Sequence, residues 1–355
     1  MSRPSVAISL LAFRSLDTVE RALQSCLKLE YDGPLELIVR EQGGDDREAA
    51  AIGGVLEAPT RPGLRTRFER GPNLGFAAGH NRAIKRSGAE FVLLLNADAE
   101  LDPAFLSHAL EPFGDDRVAS VQGKLLRFPE GEPADCLDST GLQPFVDRSV
   151  VNRGQGQPDD GAFDEPAAVF GADGAAPVYR RAALEDAAVP VSAFRAGGSG
   201  VEYFDESFFA YKEDVDLAWR LQWRRWASRY QPSAIAWHGR TGRMSTGLSL
   251  ASAVRERRAV PSDVVRLGFA NQRLMQVKCE DARQLAAAWR PWLRRELATW
   301  AFGSLSPATQ ASATARLARL LPMATRKRRW IQAHRAAGAD PYAWFAAPRR
   351  PAASR

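Results

Sequence analysis

The chain has 355 residues, 45% apolar and 25% charged. That balance excludes a disordered protein and supplies a sizeable core for one large domain or two ordinary ones. Charge is uneven: residues 239–355 hold 22 Lys/Arg against 6 Asp/Glu, and residues 1–238 hold 26 against 36, so a mildly acidic body carries a strongly basic tail. Cys26, Cys136 and Cys279 are far apart and form no CxxC or Cys/His cluster, which argues against a zinc site or a disulfide framework and fits a reducing compartment.

In chain order, 6-VAISLLAF-13 predicts a buried strand, and the spacing of Val19, Leu23 and Leu27 predicts a helix after it, with Asp17 as N-cap. A second strand over 35–40 ends in the turn-rich 41-EQGGDD-46. Another helix and a short strand over 66–69 lead to 71-GPNLGFAAGHNRAIKRSG-88, a Gly/Asn-rich entry into a helix. The continuous apolar run 91-FVLLL-95 predicts a central strand. Strands alternating with helices at this spacing imply an α/β fold with a mostly parallel sheet and helices on both faces.

Residues 122–168 are rich in Gly, Pro and Asp and predict an irregular, functional stretch. Apolar order returns over 167–184 and 203–226, and a last strand is expected near 233–237. Beyond His238 the pattern is helical and basic up to a Pro-rich end, giving a catalytic region over 1–240 and an extension over 241–355. No positively charged segment precedes a longer apolar core, so no signal peptide is expected. The longest uncharged run, 297–315 once Glu296 is passed, carries Pro307 and Gln310 and is too polar to span a membrane.

Three places carry candidate chemistry. Asn96-Ala97-Asp98 follows the apolar strand, where ligands bind in open α/β sheets; Asp98 is either a ligand of a divalent cation bridging a pyrophosphate or a turn cap. In 212-KEDVDLAWR-220, Asp214 shares a face with Leu217 and Leu221 at the start of an amphipathic helix; it is either a general base or, with Glu213 and Asp216, a capping charge. His238 ends a strand and is either a metal ligand beside Asp98 or a packing residue.

In the tail, Trp289, Trp292, Leu293, Leu297 and Trp300 share one face among Arg283, Arg290, Arg294 and Arg295, Pro291 marks a kink or a helix start, and 326-RKRRW-330 adds four cations before a Trp. Two readings stand: an amphipathic segment on an anionic membrane surface, or a helical cap with a solvated basic face. Nucleic-acid binding is not expected, since no DNA- or RNA-binding module accompanies the charge.

Taken together and in order, 73-NLGFAAGHN-81, 91-FVLLLNADAELDP-103, 138-DSTGL-142, 153-RGQGQPDDG-161, 170-FGADGAAPVYRR-181, 203-YFDESFFAYKEDVDLAWRL-221, 237-WH-238 and 271-NQRLMQVK-278 resemble glycosyltransferase family 2, the inverting enzymes of the GT-A nucleotide-sugar-binding fold, and most of all its bacterial rhamnosyltransferase-like branch. The resemblance implies Asp214 as catalytic base and Asp98 with His238 as ligands of Mg²⁺ or Mn²⁺. It implies a donor side of Phe13, Glu41, Asp46, Asn73, Gly75, Phe76, Gly79, Asn81, Asn96, Asp98 and Gly171, and an acceptor side of Asp205, Glu206 and Glu213.

Glu41 departs from the family's usual Asp at the position that accepts N3–H of uracil or thymine, and Phe13-Arg14 stands where Tyr-Asn is common; Arg14 either pairs with phosphate or faces solvent. The resemblance implies a dTDP- or UDP-sugar donor and a glycan or lipid-linked acceptor, and the membrane reading of the basic tail adds an anionic membrane surface as a partner. The expected location is cytoplasmic, and on the membrane reading of the tail it is peripheral on the inner face of the plasma membrane. The competing reading is a related scaffold that binds a nucleotide or glycan without turnover.

Overall fold

The computed structural model describes residues 3–57, 62–128, 136–239 and 260–347. The chain opens with β1 (Val6–Ala12), α1 (Leu16–Leu27), β2 (Leu35–Glu41), α2 (Asp46–Leu56), β3 (Leu64–Arg70), α3 (Gly75–Arg86) and β4 (Phe91–Asn96). β1 is parallel to both β2 and β4, and β2 to β3, the pairing that helical crossovers produce. β4 is buried from Phe91 to Leu95, which explains its unbroken apolar run.

Next come β5 (Ala99–Leu101), α4 (Phe105–Leu110), β6 (Val118–Arg127), β7 (Leu137–Ser139), β8 (Leu142–Pro144), β9 (Val150–Asn152), β10 (Ala167–Val169) and β11 (Val178–Arg180). They are followed by α5 (Arg181–Ala187), β12 (Val189–Pro190), β13 (Val201–Glu202), α6 (Glu213–Trp223) and β14 (Ala227–His238). The main sheet runs β3-β2-β1-β4-β11-β6-β14-β10, with β5 on β14 and β7 on β6. β11 is antiparallel to its neighbours β4 and β6, whereas β14 returns parallel to β6. The fold is mixed α/β with a mostly parallel central sheet and a helical C-terminal region: α7 (Ser262–Cys279), α8 (Ala282–Ala287), α9 (Trp289–Gly303) and α10 (Pro307–Ala333).

Four sequence expectations change. The first helix starts two residues earlier, with Ser15 as its N-cap residue and Asp17 inside the first turn. Residues 122–168 contain most of β6 and the short β7 to β10, whose three-residue pairings leave little periodicity to read. The last strand spans twelve residues. Finally, α6 is buried on nearly every side, so Asp214 does not begin an amphipathic surface helix. The expected 240/241 boundary falls outside the described residues.

The reason for α6's burial is the arrangement of the core. Apolar residues of β1, β2 and β4 pack with α1 and α4 on one face of the sheet. On the other, α3, α5 and α6 pack through Ala77, Ile84, Leu184, Leu217 and Leu221. A third cluster then covers the outer side of α6: Trp219 and Trp223 meet Leu274, Met275, Ala324 and Ile331, with Tyr342 and Phe345 at its edge. Among the described residues, no helix is long and apolar enough to cross a membrane.

Candidate active site

The strand ends bring Asp98 and His238 together. β14 pairs with β5 so that His238 lies opposite Ala99, and His238 Nε2 sits 3.3 Å from Asp98 Oδ1 and 3.3 Å from Asn96 Nδ2. Its Nδ1 is 2.8 Å from Asp138 Oδ2. Asp138 reaches this position because Leu125 and Leu126 of β6 pair with Ser139 and Leu137, leaving Asp138 as the extra residue of a bulge, a device that re-aims side chains beside functional sites. Burial alone lowers the His238 pKa, but the Asp138 and Asp98 carboxylates outweigh it and raise the value to about 9. Asp138 lies within a motif quoted above, but sequence reasoning gave it no role; only the bulge does.

Among the described residues, no group of three or more His, Cys, Asp or Glu side chains is set to hold a metal ion. The pair of a partly exposed Asp98 oxygen and an imidazole oriented from behind by a carboxylate nevertheless suits a hard divalent cation whose other ligands come from phosphate and water.

Asp214 lies on the far side of a short connecting segment. Val215 donates its N–H to the Asp214 carboxylate at 2.7 Å, and the Gly174 backbone lies near enough to lower that carboxyl's pKa. The adjacent Asp173 is buried, accepts from Asn152 Nδ2 at 3.3 Å, and is within electrostatic reach of Asp138 and His238. One segment, Asp173–Gly174, therefore lies within electrostatic reach of both Asp214 and His238. Burial raises the Asp214 pKa, with Lys212 opposing. Burial, reinforced by Asp214, pushes Glu213 up to about 8. Glu213 Oε2 is buried without a hydrogen-bond partner among the described residues, so a neutral carboxyl costs less there than a charged one.

The turn before Asp214 is strained. Phe209, Tyr211 and Lys212 all have positive φ, at 67°, 72° and 75°, a conformation that costs non-glycine residues of order 1–3 kcal/mol each and clusters at functional sites. Ala210 N–H bonds to the Phe208 carbonyl at 2.8 Å, closing a γ-turn about Phe209. Two outside elements hold this turn. Asn271 Nδ2 of α7 lies 2.8–2.9 Å from the carbonyl oxygens of Phe208, Ala210 and Tyr211, and Ala77 N–H of α3 donates to Phe209 O at 3.3 Å. The motif 271–278 was legible in the sequence, but nothing in it announced Asn271 as a clamp.

The donor-side candidates divide into a rim and a frame. Glu41 is buried and bonded to Gly44 N–H and to Arg70 Nε at 3.2 Å, and Arg70 also meets Asp46 at 2.9 Å. Glu48, missed in the sequence, takes Ser15 N–H and O–H at 2.6 Å and Arg14 N–H at 3.2 Å, so it shapes the loop that presents the exposed Phe13. Asn73 Oδ1 caps Gly75 N–H at 2.8 Å. Gly75, at φ 79°, and Gly79 allow close approach of Phe209 and Leu11, and Phe76 lies against Gly174. Asn81 is fully buried and exchanges hydrogen bonds with the Phe204 backbone, both 2.8 Å, and with Glu206 at 3.0 Å. At Gly171 the backbone touches Ala218 so closely that a side chain would collide with α6.

Asp205 is interior rather than on an acceptor-facing surface. It accepts from Lys278 of α7 and from Lys327 of α10. Burial opposes its charge, but the two ammonium groups outweigh it and hold the carboxyl far below the usual range. Lys327 also meets Glu202 at 2.6 Å, and Lys278 meets Asp216 at 2.7 Å. This network pins the C-terminal helices to the segment that leads into Asp214.

A mostly parallel α/β sheet with Asp98 and His238 at its strand ends and the buried Asp214 carboxylate beside it is the setting in which the comparison with known proteins gives the class. The model of the family described as glycosyl transferase family 2 matches residues 8–186. The chain belongs to that family and is a glycosyltransferase. It is 27% identical over 255 residues to the N-acetylglucosaminyl-diphospho-decaprenol L-rhamnosyltransferase of Mycobacterium tuberculosis, covering 66% of this chain and 75% of that one. It is 22% identical over 245 residues to the poly-beta-1,6-N-acetyl-D-glucosamine synthase of Staphylococcus epidermidis, covering 65% of this chain and 49% of that one. In fold it is similar to a crystal structure of GalNAc-T7 with UDP, GalNAc and Mn²⁺, with a TM-score of 0.58 and 10% identity over 93% of this chain and 56% of that one. The GT-A fold is thereby shown. Asp205, Asp214 and His238 all lie beyond the family-matched segment.

Proposed function

We propose that the protein transfers a sugar from a nucleotide donor to an acceptor hydroxyl in one displacement, with inversion at the anomeric carbon. The observation that carries this reading is that adjacent residues of one segment serve both groups: Asp173 lies within electrostatic reach of Asp138 and His238, and the Gly174 backbone lies near enough to Asp214 to lower its pKa. In this reading the donor's diphosphate lies at Asp98 and His238 and its anomeric carbon points towards Asp214. The acceptor O–H gives its proton to the Asp214 carboxylate, its oxygen bonds to the anomeric carbon, and the bond to the diphosphate oxygen breaks, releasing the nucleoside diphosphate. A buried carboxylate of raised pKa is the stronger base for this step. Asp98 and His238 would hold Mg²⁺ or Mn²⁺, which when bound neutralises charge on the diphosphate. Asp138 keeps the imidazole turned towards that site.

The donor is dTDP-L-rhamnose, with UDP-hexoses next, and the acceptor is a cell-surface polysaccharide precursor or lipid-linked glycan at the inner face of the plasma membrane. The relative from Mycobacterium tuberculosis supports rhamnose, since its name specifies L-rhamnosyl transfer to a diphospho-decaprenol-linked sugar. The catalytic assignment is tested with Asp214→Asn: kcat should fall about 10²–10⁴-fold with nucleotide binding and melting temperature retained. Near wild-type turnover would remove Asp214 from the mechanism. A panel of nucleotide-sugars scored by thermal stabilisation, with and without Mn²⁺, identifies the donor.

A further inference from the structure

The C-terminal helices leave one apolar face uncovered. On α9, Trp289, Leu293, Leu297 and Trp300 are 50%, 37%, 61% and 42% exposed, and their spacing of four, four and three residues puts them along one side of the helix. One flank of the stripe is anchored: Glu296, seven residues on from Trp289, is buried and bonded to Arg273 of α7 at 2.5 Å, and Gly303 is buried. Trp300 is also held at its inner edge by Phe269, ring centres 5.0 Å apart. The orientation of the helix is thus set by α7, and the outward stripe is a consequence of it. Single exposed apolar residues are ordinary, but an aligned stripe with two tryptophans marks a contact surface.

Charge says what it contacts. Residues 282–339 contain eleven Lys/Arg and a single carboxylate, Glu296, which is the buried one. Arg290 and Arg294 are exposed beside the stripe, and the Arg290 guanidinium lies 5.5 Å from the Trp289 ring centre. A second copy of this chain would bring these cations against their like. We infer that the outward face of α9 is the surface on which the protein sits on an anionic lipid bilayer, with Trp289, Leu293, Leu297 and Trp300 at the acyl boundary and Arg290 and Arg294 at the headgroups. The inference deepens the proposed function and rests on its lipid-linked acceptor.

The location within the fold is apt. α7 holds α9 through Arg273 and Phe269, and through Asn271 it also clamps the turn that precedes Asp214. Arg295 of α9 is close enough to Lys212, two residues before the base, to act on it electrostatically. An acceptor head emerging from the bilayer at α9 therefore meets the scaffold that positions the base.

The test is sedimentation of the full-length chain with vesicles of phosphatidylglycerol and phosphatidylcholine, or of phosphatidylcholine alone. Binding should be at least about tenfold weaker without the anionic lipid and should weaken with salt. Leu293→Glu with Leu297→Glu should reduce binding by about tenfold or more, and Arg290→Ser with Arg294→Ser by a similar factor, with melting temperatures unchanged. Equal binding to both vesicles, no effect of either pair, or an equal loss from Arg326→Ser with Arg329→Ser on α10 would overturn the assignment. So would a lipid-free dimer in sedimentation equilibrium that Leu293→Glu with Leu297→Glu dissolves. Sugar transfer to a water-soluble acceptor is followed in parallel: vesicle binding without transfer defeats the proposed reaction alone, and transfer without vesicle binding defeats the surface alone.

Discussion

Lys327→Met removes a charge while keeping an unbranched side chain of similar reach, so it separates electrostatics from packing. In the fold the Lys327 ammonium lies 2.6 Å from both Glu202 and Asp205 and 4.2 Å from the Phe194 ring centre, with the side chain buried. Deleting one partner of a buried pair costs about 3–5 kcal/mol, because the remaining charge stays in a low-dielectric interior. Two features favour the lower end of that range. Asp205 keeps Lys278, and Glu202, whose pKa burial already raises against the pull of Lys327, is able to take up a proton. A loss of about 3 kcal/mol, at roughly 0.7 kcal/mol per degree for a chain of this length, lowers the melting temperature by about 4 °C. Arg329→Met, on an exposed position of the same helix, should shift it by about 1 °C or less. Calorimetry on both variants at pH 7 and pH 5 makes the measurement, and the Lys327→Met deficit should shrink at the lower pH as Glu202 protonates more readily. Equal melting temperatures for the two variants would refute the buried network and the role of α10 as part of the catalytic fold.

Gly75→Ala should cost roughly 2–4 kcal/mol, combining a left-handed backbone with overpacking, because φ is 79° and a Cβ would meet the Phe209 carbonyl and ring. Since that carbonyl belongs to the turn before the base, kcat should fall as well; a wild-type kcat with lowered stability would show that the two loops are uncoupled. Glu213→Gln tests the neutral carboxyl. A group whose folded pKa is raised from 4.5 to about 8 contributes stability that is complete below the unfolded value and lost as pH rises through the folded one. The wild-type melting temperature should therefore decline between about pH 4.5 and 8 more than that of the variant, and parallel pH profiles would reject the assignment. Asp138→Ala should weaken Mn²⁺-dependent stabilisation by nucleoside diphosphate about 10–100-fold, the usual effect of losing a carboxylate behind a ligating histidine; an unchanged Mn²⁺ titration would show that Asp138 does not orient His238 for an ion.

The alternation of strand and helix, the central strand 91–95 and the strand-end positions of Asp98 and His238 were determined by local pattern, because burial on both faces of a sheet leaves a run that can be read residue by residue. Asp138 and Asn271 were not legible as functional, since one depends on a bulge between short strands and the other on a helix that returns to the base turn from sixty residues away. The tail shows the division most clearly. Composition alone established that residues 239–355 are basic and rich in tryptophan, but it could not separate cations that pack from cations that face solvent. Tertiary structure decided it: Lys278 and Lys327 turn inward to Asp205, Asp216 and Glu202, while Arg290 and Arg294 remain outside. The physical reason is that a charge enters the interior only where a partner is already buried, and the partners come from segments more than fifty residues away in sequence.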